Sequence, residues 1–246
     1  MSTASTTIHN PNKACCTIPP VQSDYTPKGS FKPYGSFKKV YVTGPENSGT
    51  KIVCVYDIFG FFPQTQQGAD IIASALNATV YMPDFFEPDA AFPAERFPPT
   101  TAEDNAAIQA FFGGPASTPV TIQKLTSFGE ALRASGGKVT IAAGGHSTPF
   151  DSVAIIHPYL VSPPDAEKLT IPLGIYISKD EPVSEYNKIL EIIGKKPFAS
   201  KNDQKNYTNM FHGFAAARGD LDNAENQKEY ADVYGRVINF FRQTLV

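Results

Sequence analysis

Apolar positions along this chain fall into short unbroken runs, separated by stretches whose apolar residues recur at helical spacing. Ile52 to Tyr56 is a continuous run of β-branched and aromatic residues closed by Asp57. Such a run predicts a strand buried on both faces of a parallel sheet. Val40 to Thr43, Thr79 to Met82, Val153 to Ile156, Leu173 to Ile177 and Asn206 to Met210 are the other strand candidates. Between them, Gln66 to Leu76 places Ala69, Ile72, Ala73 and Leu76 on one face, which predicts a helix. Further helices are expected over 101–112, 122–133 and 184–193. A terminal helix is expected near 226–244, with Tyr230, Val233, Tyr234, Val237 and Phe241 on one stripe. Strand, helix and strand in this rhythm predict right-handed crossovers and a parallel sheet.

Residues 1–38 are rich in Pro, Ser, Thr, Lys and Gly, and read as an irregular arm lying over a domain that spans 39–246. Pro88, Pro93, Pro98 and Pro99 make 87–100 a loop above the carboxyl edge of the sheet, suited to cap a pocket.

Length and charge narrow the class. The 246 residues are enough for one α/β domain with a sizeable core. A net charge of −3 with scattered signs offers no basic face for nucleic acid. No apolar run approaches membrane-spanning length, and Met1 to Asn10 lacks the apolar core of a signal peptide. The three cysteines include the adjacent pair Cys15 and Cys16, so no disulfide framework is expected, and a cytoplasmic protein is. His146 and His157 are too far apart for a helical zinc site, so no metal is expected.

Three residues stand where such a sheet keeps its chemistry. Asp57 closes a central strand, at the edge where open α/β sheets bind ligands. The plainer reading is that it caps the next helix, and position alone favours that one. Asp180 follows one late strand and His212 follows the last. Singly each is commonplace. Together they have the acid-then-histidine order of the α/β-hydrolase triad, in which the histidine takes a proton from the nucleophile and the acid holds its tautomer.

Longer motifs add a family. Tyr56-Asp57-Ile58-Phe59-Gly60, Met82-Pro83-Asp84-Phe85-Phe86, Thr148-Pro149-Phe150-Asp151 leading to His157-Pro158, Ser178-Lys179-Asp180-Glu181-Pro182 and Met210-Phe211-His212-Gly213-Phe214 occur in this order. From about Cys15 to the C-terminus the chain resembles the dienelactone hydrolases, in particular their fungal branch. The resemblance implies an α/β-hydrolase fold: a mostly parallel sheet with helices on both faces. It also implies a Cys-His-Asp triad that cleaves a small carboxylic ester or lactone with no metal or organic cofactor. By that resemblance Asp180 and His212 match the triad acid and base. Asp57 stands where a relative's glutamate holds the resting thiol, and the Ile58 amide matches an oxyanion donor. Arg218 lies near a substrate-carboxylate arginine, at a different spacing from the histidine.

One part of the pattern is missing. The family carries its nucleophile in an elbow resembling Gly-Phe-Cys-Trp-Gly-Gly. This chain instead runs from Arg133 through Ser135, Gly136 and Gly137 to Thr140, with no cysteine after Cys54 and no tryptophan at all. The strand before the elbow is therefore expected to be lacking, with lowered stability, or to be replaced by Val139 to Ala143. Ser147, in Gly145-His146-Ser147-Thr148-Pro149, is a weak substitute nucleophile. Pro149 stands where an elbow has its second glycine, and Thr148 to Ser152 is too short for a crossover helix. Cys54 lies inside a strand. Two functions follow: a hydrolase of a small ester or lactone, or a non-catalytic relative. The latter would bind a small carboxylate or a protein partner through a pocket rimmed by Phe59, Phe61, Phe62, Phe85 and Phe86, for most of which the core is the alternative place.

Overall fold

The computed structural model describes residues 17–141 and 148–245. Eight strands form one sheet: β1 (Ser30–Tyr34), β2 (Phe37–Thr43), β3 (Thr50–Val53), β4 (Thr79–Pro83), β5 (Lys138–Ile141), β6 (Val153–Ile156), β7 (Leu173–Ser178) and β8 (Asp203–Tyr207). Their spatial order is β1-β2-β4-β3-β5-β6-β7-β8. The β1–β2 and β2–β4 pairs are antiparallel, and every pair from β4 across to β8 is parallel.

Helices cover both faces, as both faces of parallel strands require. They are α1 (Pro63–Leu76), α2 (Ala102–Gly113), α3 (Thr118–Ala134), α4 (Pro163–Lys168), α5 (Val183–Ile193) and α6 (Ala224–Thr244). Leu125, Phe128 and Leu132 of α3 pack with Ala166 of α4 and with Tyr186 and Ile189 of α5 on one face, against Val53, Val153 and Ile175. On the other face Ala69 and Ile72 of α1 join Tyr230, Val233 and Val237 of α6 over Ile52, Val80 and Tyr176. No described helix is long and apolar enough to cross a membrane.

The place between β3 and β6 is filled. β5 runs parallel to β3 from Thr50↔Lys138 to Val53↔Ile141, so the expectation of a gap gives way to the expected replacement. Its bond to β6 is slighter, with Ile141↔Val153 the paired residues. Asp151 extends the contact: its amide donates to Val139 O at 2.8 Å, and its carboxylate accepts from Val139 N at 3.0 Å. Gly136 and Gly137, with φ of +84° and +92°, turn α3 into β5. A Cβ at Gly137 would lie 2.4 Å from Gly49 O, so only glycine fits this approach.

Lys51 of β3 fixes the same junction. It is 7% exposed, and its Nζ donates to Gly136 O and to Leu132 O at the carboxyl end of α3, and to Ser135 Oγ. A cation there satisfies orphan carbonyls and complements the helix dipole. Lys51→Met is expected to cost about 2 kcal/mol, within the range for hydrogen bonds to a charged group. Urea unfolding of the purified chain checks this.

Several boundaries differ from the expected ones. The 1–38 stretch contributes β1 and the first residues of β2, because β1 is an edge strand whose Phe31 is half exposed and leaves no buried run to read. β8 starts three residues before the expected strand. Asp203 and Gln204 pair with Gly174 and Ile175 through backbone alone, while Met210 already belongs to the following loop. The short helix α4 rests on a local capping box between Ser162 and Asp165.

Candidate active site

The carboxyl ends of β3, β6, β7 and β8 bring Asp57, His157, Asp180, Glu181, His212 and Arg218 together. Beyond β7 the turn 178–182 carries two adjacent carboxylates, and they do different things. Glu181 Oε1 lies 2.6 Å from His212 Nδ1, and its Oε2 accepts the backbone N–H of Ser178. Asp180 Oδ2 accepts the backbone N–H of His212 at 2.8 Å. The expected pairing of the Asp180 side chain with the His212 ring is therefore replaced by Glu181, one residue along. The reason is the turn: Ser178 Oγ accepts Asp180 N at 3.2 Å, so Asp180 faces the loop backbone while Glu181 folds back under the imidazole.

His212 and Glu181 are each 4% exposed. Burial pushes the Glu181 carboxyl up, but the hydrogen bond and charge of His212, with the Ser178 amide, outweigh it and hold Glu181 below the usual range. Its carboxylate is thus ionised and acceptor-only, so the Nδ1 of His212 that faces it carries the proton. That is the tautomer a general base needs.

Asp57 sits on the turn after β3. Its Oδ1 accepts Phe59 N at 3.0 Å and its carbonyl accepts Gly60 N at 3.1 Å, with Gly60 at φ +75°. The helix that follows starts at Pro63 with Phe62 as its cap, so Asp57 caps its own turn and not α1. Its Oδ2 is 3.7 Å from Arg218 Nη1. Burial pushes the Asp57 carboxyl up, against the lowering charge of Arg218. Ile58, beside it, accepts Phe92 N through its carbonyl at 2.8 Å.

Arg218 is 1% exposed. Its guanidinium faces the Phe59 and Phe97 rings at 4.9 and 5.4 Å, and its Nε donates to Ile18 O in the N-terminal segment. Phe59, Phe86, Phe92, Phe97 and Phe111 form a separate small core with Ile58 and Ala217, closing over the carboxyl edge. Of the aromatic residues expected to rim a pocket, Phe85 instead joins the main core beside α3, and Phe61 packs toward α1 and α6.

Cys54 is excluded as a thiolate by its setting, since burial pushes its thiol up to about 12. Ser147, His146, Cys15 and Cys16 lie outside the described residues. Among the described residues no three His, Cys, Asp or Glu side chains converge as a metal set. A polar cleft of about 580 Å³ lies at the other edge of the sheet, by Asn202, Asp203, Asp232 and Arg236. Its charges are matched to one another, with Arg236 on both Asp203 and Asp232, and it is remote from the histidine chemistry.

Beyond Glu181, the sequence reading gave no site role to the imidazole of His157, which burial and then the charge of His212 push down to about 3. A histidine depressed in the fold from its ordinary 6.5 contributes stability that is complete above 6.5 and is lost as pH falls toward 3. The lowered Glu181 acts in the same sense, its contribution vanishing as pH falls through its folded value. Urea midpoints are therefore expected to fall between about pH 7 and about pH 4, and His157→Asn to flatten the upper part of that fall.

The chain is 32% identical over 235 residues to an uncharacterized AIM2 family protein of Schizosaccharomyces pombe, covering 90% of this chain and 93% of that one. A dienelactone hydrolase-like promiscuous phosphotriesterase from metagenomic libraries matches the structure with a TM-score of 0.55 at 17% identity, over 85% of this chain and 93% of that one. A dienelactone hydrolase from Anabaena variabilis matches with a TM-score of 0.55 at 10% identity, over 91% and 100%. No protein-family model matches.

Proposed function

The chain belongs to the AIM2 family and has the fold of dienelactone hydrolase-like α/β hydrolases, and from that premise we propose that it hydrolyses a small carboxylic ester or lactone. The observation that carries this reading is the buried pair of His212 and Glu181, with Nδ1 and Oε1 2.6 Å apart. In the proposed reaction His212 Nε2 takes the proton of the attacking group as that group bonds to the carbonyl carbon. Glu181 stabilises the imidazolium, and the same proton then passes to the leaving alcohol oxygen; where the attacking group is a serine, a water then gives its proton to His212 as it attacks the acyl carbon, and that proton returns to the serine oxygen as the acid leaves. The Ile58 amide, on the turn held by Asp57, donates to the carbonyl oxygen as it gains charge. Asp180 holds the loop that presents His212.

Where the resembled family carries its nucleophile, after Cys54, this chain has no cysteine, and on that ground the attacking atom is assigned as an oxygen, of a serine or of water. The same observation supports a second reading, a non-catalytic relative that binds a small carboxylate. Hydrolysis of a panel of activated aryl esters and lactones by the full chain and by His212→Ala separates them. Turnover reduced by about three orders of magnitude or more in the variant is expected for a histidine base. Equal rates in both proteins would leave only the binding reading. An acyl adduct found on Ser147 by mass spectrometry would identify serine as the nucleophile, and turnover with no adduct would identify water.

A further inference from the structure

His157 packs against His212, and the mechanism above leaves it without a role. It follows β6 directly, precedes Pro158, and has φ of +39°. Left-handed backbone is uncommon outside glycine, and the residue before a proline is steered toward extended backbone. Such an outlier persists only where its surroundings over-determine it, and it is a pointer to function.

Here the surroundings are plain. The His157 amide donates to Tyr176 O at 2.7 Å, which turns the side chain over the carboxyl edge. Its ring meets His212 edge to face, with centroids 5.2 Å apart and planes at 70°. It meets Phe214 in the same manner at 6.0 Å. The charged groups that face it are His212 and Arg218 from the loop after β8 and Glu181 from the turn after β7. Burial, then His212, keep it uncharged at neutral pH, so it does not repel the imidazolium that His212 becomes.

We propose that His157 is a positioning residue of this site: packed edge to face, it fixes the plane of the His212 ring, so that Nδ1 stays on Glu181 and Nε2 stays aimed at the substrate. Its effect on rate rests on the hydrolytic reading; its effect on the ring does not. The test compares the full chain with His157→Asn, which tolerates a left-handed backbone. His157→Gln is the second variant should Asn fail to fold. Two quantities are read: aryl-ester kcat and KM, and the His212 ring nitrogens by 15N-histidine NMR. The variant is expected to lose about tenfold or more in kcat with KM within about twofold, a misplacement effect. Its His212 is expected to show mixed tautomers where the unaltered chain shows only Nδ1–H. Unchanged kcat together with an unchanged His212 spectrum would overturn the proposal. If the unaltered chain shows no turnover, the hydrolytic reading fails and the spectrum alone decides. Mixed tautomers in the variant would then support positioning, and a single tautomer would overturn it.

Discussion

Glu181→Gln is expected to lower ester turnover by about four orders of magnitude, and Asp180→Asn by about tenfold or less. The amide of a glutamine keeps the shape of the side chain but removes its charge. It can also turn its NH2 toward Nδ1, so that the proton moves to Nε2 and the base is lost. Glu181 is where this matters, because its Oε1 is the atom on the ring, and the site is dry enough that nothing replaces the lost charge. Asp180 holds the backbone N–H of His212, and an asparagine oxygen can still accept that bond. Steady-state kinetics of the two variants on one aryl ester make the comparison. The reverse ranking would return the acid role to Asp180.

The second large effect concerns stability. Arg218→Met is expected to cost about 3–5 kcal/mol, the range for removing one partner of a buried ion pair. The loss has three parts. The Asp57 carboxylate keeps its burial but loses its cation, the Phe59 and Phe97 rings lose the guanidinium between them, and Ile18 O loses its donor. Without the arginine, burial acts on Asp57 against only the Phe59 and Ala217 amides and the charge of His212, and raises its carboxyl further above the unfolded value. A carboxyl raised in the fold binds more protons folded than unfolded, so the penalty grows as pH rises past its unfolded value and eases in mild acid. Urea unfolding at two pH values checks both size and sign. The double variant Asp57→Asn/Arg218→Met is expected to recover part of the loss, because neither charge of the pair is then left buried.

Much of this was legible in the residues. Strands buried on both faces announce themselves as apolar runs, and β6 at Val153–Ile156 falls where the run predicts it. The helices α1 and α6, each with one apolar face, were readable from the helical spacing of their apolar residues. Edge elements were not: β1 and β8 have one flank in solvent, and their polar residues carry no periodic signal. The strand between β3 and β6 was ambiguous because the residues left two outcomes open, a missing strand or its replacement by Val139 to Ala143. What settles it is tertiary, namely parallel pairing with β3 and the Asp151 clamp on Val139.

The site was half legible. Position after a strand and order along the chain picked out the turn 178–182 and His212, but not which of two neighbouring acids faces the ring. That depends on how Ser178 bonds both of them, through Oγ to Asp180 N and through its own N–H to Glu181. Arg218 was linked to a substrate-carboxylate arginine by resemblance alone, and its burial comes from aromatic residues and from Ile18, two hundred positions away in the chain.

Glu181 and His212 form one hydrogen-bonded unit. A far-downfield proton on His212 Nδ1, observed by NMR of the full chain at neutral pH, tests it without reference to any substrate. The account predicts that this resonance is present in the unaltered chain, persists in Asp180→Asn and disappears in Glu181→Gln. A resonance that survives Glu181→Gln and is lost in Asp180→Asn would contradict it.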